Sequence, residues 1–237
     1  MFWTEESIAF LRDAAAINRY YETIAERIAP QLPENAHICD AGCGIGELSL
    51  ALKPYCHHVT AVDTDALAIK TLKAHLLEGV TARCGDMETL APEKPYDAMV
   101  FCLFGRTQDT LRIAKKQCRG RIFLVKRDYS HHRFSAGQVS LGEYTAGSTE
   151  NVLREKGIPY TVERFTAEFG QPFHSLEAAE RFFALYNHSE SEVLSKDEIR
   201  ARLTAGLSEK FPYYLPHKKA LCLFTIETAA ISKEEAV

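Results

Sequence analysis

Apolar residues recur along this chain at two spacings, and the change from one to the other divides it. Between residues 4 and 29, Ile8, Leu11, Ala15, Ile17, Tyr20, Tyr21, Ile24 and Ile28 follow a helical period. Thr4, Glu5 and Glu6 suit the start of that helix, and Pro30 and Pro33 end it. Short apolar runs then take over, at Ile38 to Asp40, His58 to Asp63, Val80 to Cys84, Tyr96 to Leu103 and Arg121 to Lys126. Helical patterns separate them over 46–52, 66–78 and 107–117. Such alternation predicts right-handed crossovers and a parallel sheet, with a ligand at the carboxyl edge of its strands.

After Lys126 the rhythm changes. Residues 127–147 read as a loop or irregular insertion, and a helix over 149–156 stops at Gly157. A strand over 160–165, an amphipathic helix over 175–186 capped by Ser175, a helix over 195–207 and a closing strand over 219–225 follow. Residues 232–237 read as a frayed end. No repeat or low-complexity segment interrupts this order, so one α/β domain is expected.

Composition narrows the setting. Hydrophobic residues make up 46% and charged residues 25% of 237, which is ordinary for a globular chain. A net charge of -4 gives no overall attraction to nucleic acid. The seven cysteines are scattered, with no CxxC pair and no Cys/His quartet, so no metal site is expected and a reduced cytoplasm fits best. No apolar run approaches the ~20 residues that span a bilayer, and Met1 to Glu6 lacks the pattern of a signal peptide; a soluble, cytoplasmic protein is expected.

The chemistry concentrates at strand ends. Asp40-Ala41-Gly42-Cys43-Gly44-Ile45-Gly46 places three alternate glycines between a strand and a helix, where backbone can approach a nucleotide-like ligand. The spacing is GxGxG, not the GxGxxG of dinucleotide sites, and Asp40 would repel a pyrophosphate. An acid there suits a cationic or donor group. Asp63, followed by Thr64, ends the second strand 17 residues after Gly46, where a carboxylate can accept both hydroxyls of a ribose. Gly85-Asp86-Met87 ends the third strand, with an acid and an amide able to serve an adenine. The run after Asp97, through Phe101 and Cys102, is a buried strand whose end would floor the reaction site.

These pieces, in this order, resemble a class I S-adenosylmethionine-dependent methyltransferase over roughly residues 36–126, and more weakly to about 228. The resemblance implies a three-layer, Rossmann-like, seven-stranded, mostly parallel sheet with an antiparallel last strand. An N-terminal helix and a helical insertion before the last strand are expected additions. It implies S-adenosylmethionine as cofactor, held by Asp40, Gly42, Gly44, Gly46, Asp63, Thr64, Asp86 and Met87, with Phe101 and Cys102 offering backbone carbonyls. Tyr21, beside Tyr20, would cap the cleft, as would Phe2 and Trp3; packing onto the core is the plainer role for each aromatic. The expected division is a helical lid over 1–33, a cofactor core over 34–127, a substrate and lid region over 128–190, and a C-terminal helix and last strand over 191–237.

Cys102-Leu103-Phe104-Gly105 stands where base-methylating relatives carry an Asn/Asp-Pro-Pro-aromatic tetrad, which disfavours nucleic acid bases as acceptors. A small-molecule acceptor, methylated at O or N by in-line transfer, is the leading reading. His131 and His132 are the candidate general base, although both also read as exposed loop residues. Arg106, Lys126, Arg127 and Arg133 suggest a locally basic rim and an anionic acceptor, or else solvated surface charge. A protein or RNA acceptor, a nicotinamide-dependent oxidoreductase and a non-catalytic binding module are the competing readings.

Overall fold

The structure is a computed structural model describing residues 3–232. Phe2 and residues 233–237 of the expected frayed end lie outside the described residues. The helix expected over 4–29 is two helices, α1 (Glu5–Ile17) and α2 (Tyr20–Ile28). Asn18 makes the break: its backbone is extended, and its Nδ2 donates to Ala14 O at 2.7 Å and to Gly170 O at 2.8 Å. A side chain competing for the helix's own carbonyl ends the helix and ties its end to a distant loop.

The alternating middle of the chain folds as β1 (His37–Ala41), α3 (Glu47–Leu52), β2 (His58–Asp63), α4 (Ala66–Lys73), β3 (Val80–Cys84), β4 (Tyr96–Cys102), α5 (Thr107–Gln117) and β5 (Cys118–Arg127). Then come α6 (Ala146–Glu155), β6 (Thr161–Glu168), β7 (Gln171–Phe173), α7 (Leu176–Leu185), α8 (Lys196–Ala201), β8 (Thr204–Ser208), β9 (Phe211–Leu215) and β10 (Lys218–Glu227). The main sheet has seven strands in the order β3-β2-β1-β4-β5-β10-β6. β10 is antiparallel to both its neighbours, and the pairs among β1 to β5 are parallel.

Helices cover both faces, so the central strands alternate between two apolar cores. In β5, Ile122 and Leu124 join the core under α5 and α6, whereas Phe123 and Val125 join the core under α2 and α3. All four are fully buried, each contributing roughly 1.5–3 kcal/mol by leaving water.

The insertion before β10 is not purely helical, which corrects the sequence reading. β7, β9 and β8 form a separate antiparallel sheet in that order. The helix expected over 195–207 ends at Ala201, and Thr204–Ser208 is an edge strand of this small sheet. Its core is aromatic: Phe10 of α1 packs edge-on against Phe182 of α7 at 5.3 Å and against Phe173 of β7 at 6.1 Å. Through α1 and α7 the insertion closes over the carboxyl edge of the main sheet.

Candidate active site

The glycine turn lies between β1 and α3. Gly42, Gly44 and Gly46 all have positive φ (+72°, +55° and +85°), which an L side chain adopts only with strain. Gly42 N and Cys43 N donate to Val62 O at 2.8 and 3.0 Å, which fixes the turn to the end of β2. Space is short as well as conformation: a Cβ on Gly42 would overlap the Phe104 ring, and one on Gly44 would overlap Trp3. Two aromatic side chains therefore lie directly on the turn.

Asp63 faces the same turn. Its Oδ2 accepts from Gly44 N at 2.8 Å and its Oδ1 from Asp65 N at 2.9 Å. Each carboxylate oxygen has two acceptor positions, so one on each remains for a pair of ligand hydroxyls. Asp40 is 1% exposed, and its Oδ2 accepts from Ser49 Oγ at 2.6 Å. Burial pushes its carboxyl up to about 6, against the Ser49 bond and with a smaller contribution from Asp63. A buried acid with one neutral partner gains from a cationic group placed beside it.

Above these residues is a cavity of about 460 Å³. Asp40, Gly42, Gly44, Asp63, Thr64 and Cys102 line it, together with Tyr21, so the structure brings together seven of the residues singled out from sequence. Gly46 lies at the α3 N-terminus with its Cα against Leu72 rather than on the cavity wall. Asp86 is exposed, and its Oδ1 takes the Glu88 amide at 2.9 Å. Met87 is buried in the core, where its carbonyl accepts from Gln117, and Phe101 is fully buried. None of these three lines the cavity.

The histidines stand apart. His131 is exposed and hydrogen-bonded through Nδ1 to Ser130 Oγ at 2.8 Å. His132 stacks against His188 with ring centroids 3.9 Å apart. Neither lines the cavity, although Phe134 of the same loop does; within that loop His132 N donates to Val139 O, and Ser135 Oγ accepts from His188 N.

Of the four basic rim residues, only Arg127 lines the cavity. Arg106 is exposed and paired with Glu143 at 3.1 Å. Arg133 lies over the Tyr129 ring at 4.8 Å. Lys126 is 1% exposed and donates through Nζ to Gly105 O at 2.8 Å and Phe104 O at 3.3 Å, so it anchors the loop after β4. That loop begins at Leu103, a cavity residue with φ +54°, a costly conformation for a bulky side chain and one that gathers at functional sites.

The sequence reading missed Lys219, Phe169 and Gln171, which also line the cavity, as do Phe134, Phe182 and Tyr186. Lys219 left a signal: it stands two residues before Leu221 and four before Leu223 on the buried face of the last strand. The donor set fits an adenosyl amino acid. Asp63 can take ribose hydroxyls, Asp40 suits the amino end, and the glycine turn leaves room for close backbone approach.

Comparisons with known proteins agree. A family described as a methyltransferase domain matches residues 38–120, a span that includes the glycine turn, Asp63, Asp86 and β4. No curated protein matches the chain in sequence. Among solved structures the chain is similar to a candidate methyltransferase from Bacillus halodurans C-125, at 13% identity and TM-score 0.55, over 87% of this chain and 98% of that one. It is also similar to the YcgJ protein from Bacillus subtilis, at 15% identity and TM-score 0.54, over 87% and 97% of the two chains. A candidate methyltransferase from an antibiotic biosynthesis pathway of Anabaena variabilis is similar at 20% identity and TM-score 0.51, over 65% and 67%. At these identities the structural likeness is one of fold. The family match identifies residues 38–120 as a methyltransferase domain, and the donor set around the glycine turn fits S-adenosylmethionine as its methyl donor.

Proposed function

We propose that this enzyme methylates a small-molecule acceptor carrying an anionic group. The observation behind this reading is the cavity: about 460 Å³ must take both cofactor and acceptor, and it falls toward the lower end of the roughly 300–1,000 Å³ typical of small-ligand sites. Its far side is aromatic, with Phe134, Phe169, Phe182 and Tyr186, and holds the cations Arg127 and Lys219. Such a wall suits a compact, partly apolar acceptor better than the body of a protein or RNA.

The cofactor supplies an electrophilic methyl on a sulfonium whose positive charge is lost on transfer. The chain's contribution is to position the acceptor in line and to exclude water. Segments 1–33 and 128–190 serve as the cover, and 34–127 as the cofactor core. A base is required only if the acceptor must lose a proton.

Incubation with methyl-tritiated S-adenosylmethionine and a cell extract, followed by separation by size, tests the reading. Label is expected in the low-molecular-weight fraction. Label confined to protein or RNA would replace the small-molecule reading, and no transfer to any fraction would leave only a binding module.

A further inference from the structure

β5 and β10 are paired with Leu221 opposite Arg127 and Leu223 opposite Val125. Residues directly opposite in such a pair share a face, and that face is covered by α2. It is apolar over Phe123, Val125, Leu221 and Leu223. At the carboxyl edge its character changes, because the next positions on the same face are Arg127 and Lys219. Both line the cavity.

Lys219 Nζ lies 4.1 Å from the Phe169 ring centroid and 4.8 Å from that of Tyr20. Among the described residues, neither Lys219 nor Arg127 has a carboxylate within ion-pair distance. Burial lowers the Lys219 ammonium toward about 7, and Arg127 pushes in the same direction. Two cations on one buried face repel each other, and an anion between them offsets that cost.

The cavity is thus divided by charge. Asp40, Glu47 and Asp63 stand at the glycine-turn end, whereas Arg127 and Lys219 stand at the end formed by β5 and β10. The acidic end suits the cationic cofactor. We propose that Lys219 and Arg127 form a subsite for the carboxylate of an aromatic acceptor, whose ring packs against Phe169 and Tyr186. This subsite rests on the methyl-transfer reading, since cofactor and acceptor share the cavity.

The full-length chain saturated with S-adenosylhomocysteine is titrated with benzoate and with its neutral analogue benzamide. Calorimetry reports binding, as does the emission of Trp3, the single tryptophan and a cavity residue. Benzoate is expected to bind at least tenfold more tightly than benzamide. Lys219→Met should remove that difference, Lys219→Arg should keep most of it, and both variants should bind S-adenosylhomocysteine within threefold of wild type. Equal affinity for the two probes, or no saturable benzoate binding, overturns the subsite without recourse to any variant. If Lys219→Met weakens S-adenosylhomocysteine as much as benzoate, the lysine holds the cofactor's own carboxylate and the proposal fails. Failure of the wild-type chain to bind S-adenosylhomocysteine is a separate result, which rejects the methyl-transfer reading and the subsite with it.

Discussion

Gly44 N donates to Asp63 Oδ2 at 2.8 Å, so the acid that ends β2 is oriented by the turn that follows β1. Two parallel neighbours in the sheet thereby hold one carboxylate before any ligand arrives, with the Asp65 amide on its other oxygen. Orientation of this kind lowers the cost of binding.

Replacing Asp63 should therefore harm both affinity and stability. Asp63→Ala is expected to weaken S-adenosylhomocysteine binding at least tenfold in calorimetry. Asp63→Asn should lower the melting temperature too, because its amide NH2 would face a backbone N–H where a carboxylate oxygen now accepts. Leaving one such group unpaired costs about 1–3 kcal/mol where it is shielded from water. Unchanged affinity in both variants would remove Asp63 from the cofactor site.

Asp40 gives a pH dependence whose sign can be worked out. Its carboxyl is raised to about 6 in the folded chain, so the folded state holds the proton more tightly than the unfolded state does. Stability from this group is then greatest at acidic pH and falls as pH rises from about 4 through 6. Asp40→Asn should add up to roughly 3 kcal/mol at pH 8 and little at pH 4, since a tenfold change in proton affinity is worth about 1.4 kcal/mol. Denaturant titrations at the two pH values read the difference. Affinity for S-adenosylhomocysteine should move the opposite way, rising between pH 5 and 7 in wild type as Asp40 ionises and staying flat in the variant.

At Gly42 conformation and space act together. Gly42→Ala would hold a left-handed backbone costing about 1–2 kcal/mol and would drive its methyl into the Phe104 ring. A lower melting temperature and at least a tenfold loss of S-adenosylhomocysteine affinity are expected. Adding Phe104→Ala should recover part of the melting temperature by relieving the overlap, with the backbone strain left in place. No recovery would place the whole penalty in the backbone.

Lys126 separates stability from binding. Its Nζ ties down Phe104 O and Gly105 O, yet its burial is itself costly and lowers the ammonium to about 8, with Arg127 adding to the effect. Replacing the ammonium with an apolar group removes its burial cost but leaves two carbonyls without this donor, so the two effects on stability oppose each other. With the two opposed, Lys126→Met is expected to change unfolding free energy by no more than about 1 kcal/mol and to weaken cofactor binding, by freeing the loop that lays Phe104 over Gly42. Parallel melting and calorimetry would show whether the two separate.

Much of the cofactor half is legible in the sequence because its signals are local. Glycine spacing at 42, 44 and 46, an acid ending each of two strands, and the change between helical and strand periods are all short-range patterns. The cover is not local. β7 is three residues long with Pro172 inside it, and β8 is mostly exposed, so neither shows an alternation to read. Arg202, Leu203, Ala205 and Leu207 favour a helix past Ala201, and pairing with β9 at Ala205 and Ser208 overrides them. Asn18 ends α1 by bonding to a carbonyl 152 residues away. Lys219 becomes a cavity residue only when β10 is set beside β5. His131 and His132 have the right chemistry, but of their loop it is Phe134 that reaches the cavity wall.

The position of β10 also bears on the order in which the molecule can assemble. Strands β1 to β5 can pair as soon as they leave the ribosome, since each needs partners already made. β6 cannot join them, because among the described residues its only neighbour in the main sheet is β10, some fifty residues later in synthesis. Until then β5 has an open edge and the core under α6 is incomplete, a state exposed to mispairing and slowed by the long loop that must close. The strand that completes the sheet is the one that brings Lys219 into place, so the nascent chain can build the glycine-turn end of the cavity well before the end that carries Lys219 exists.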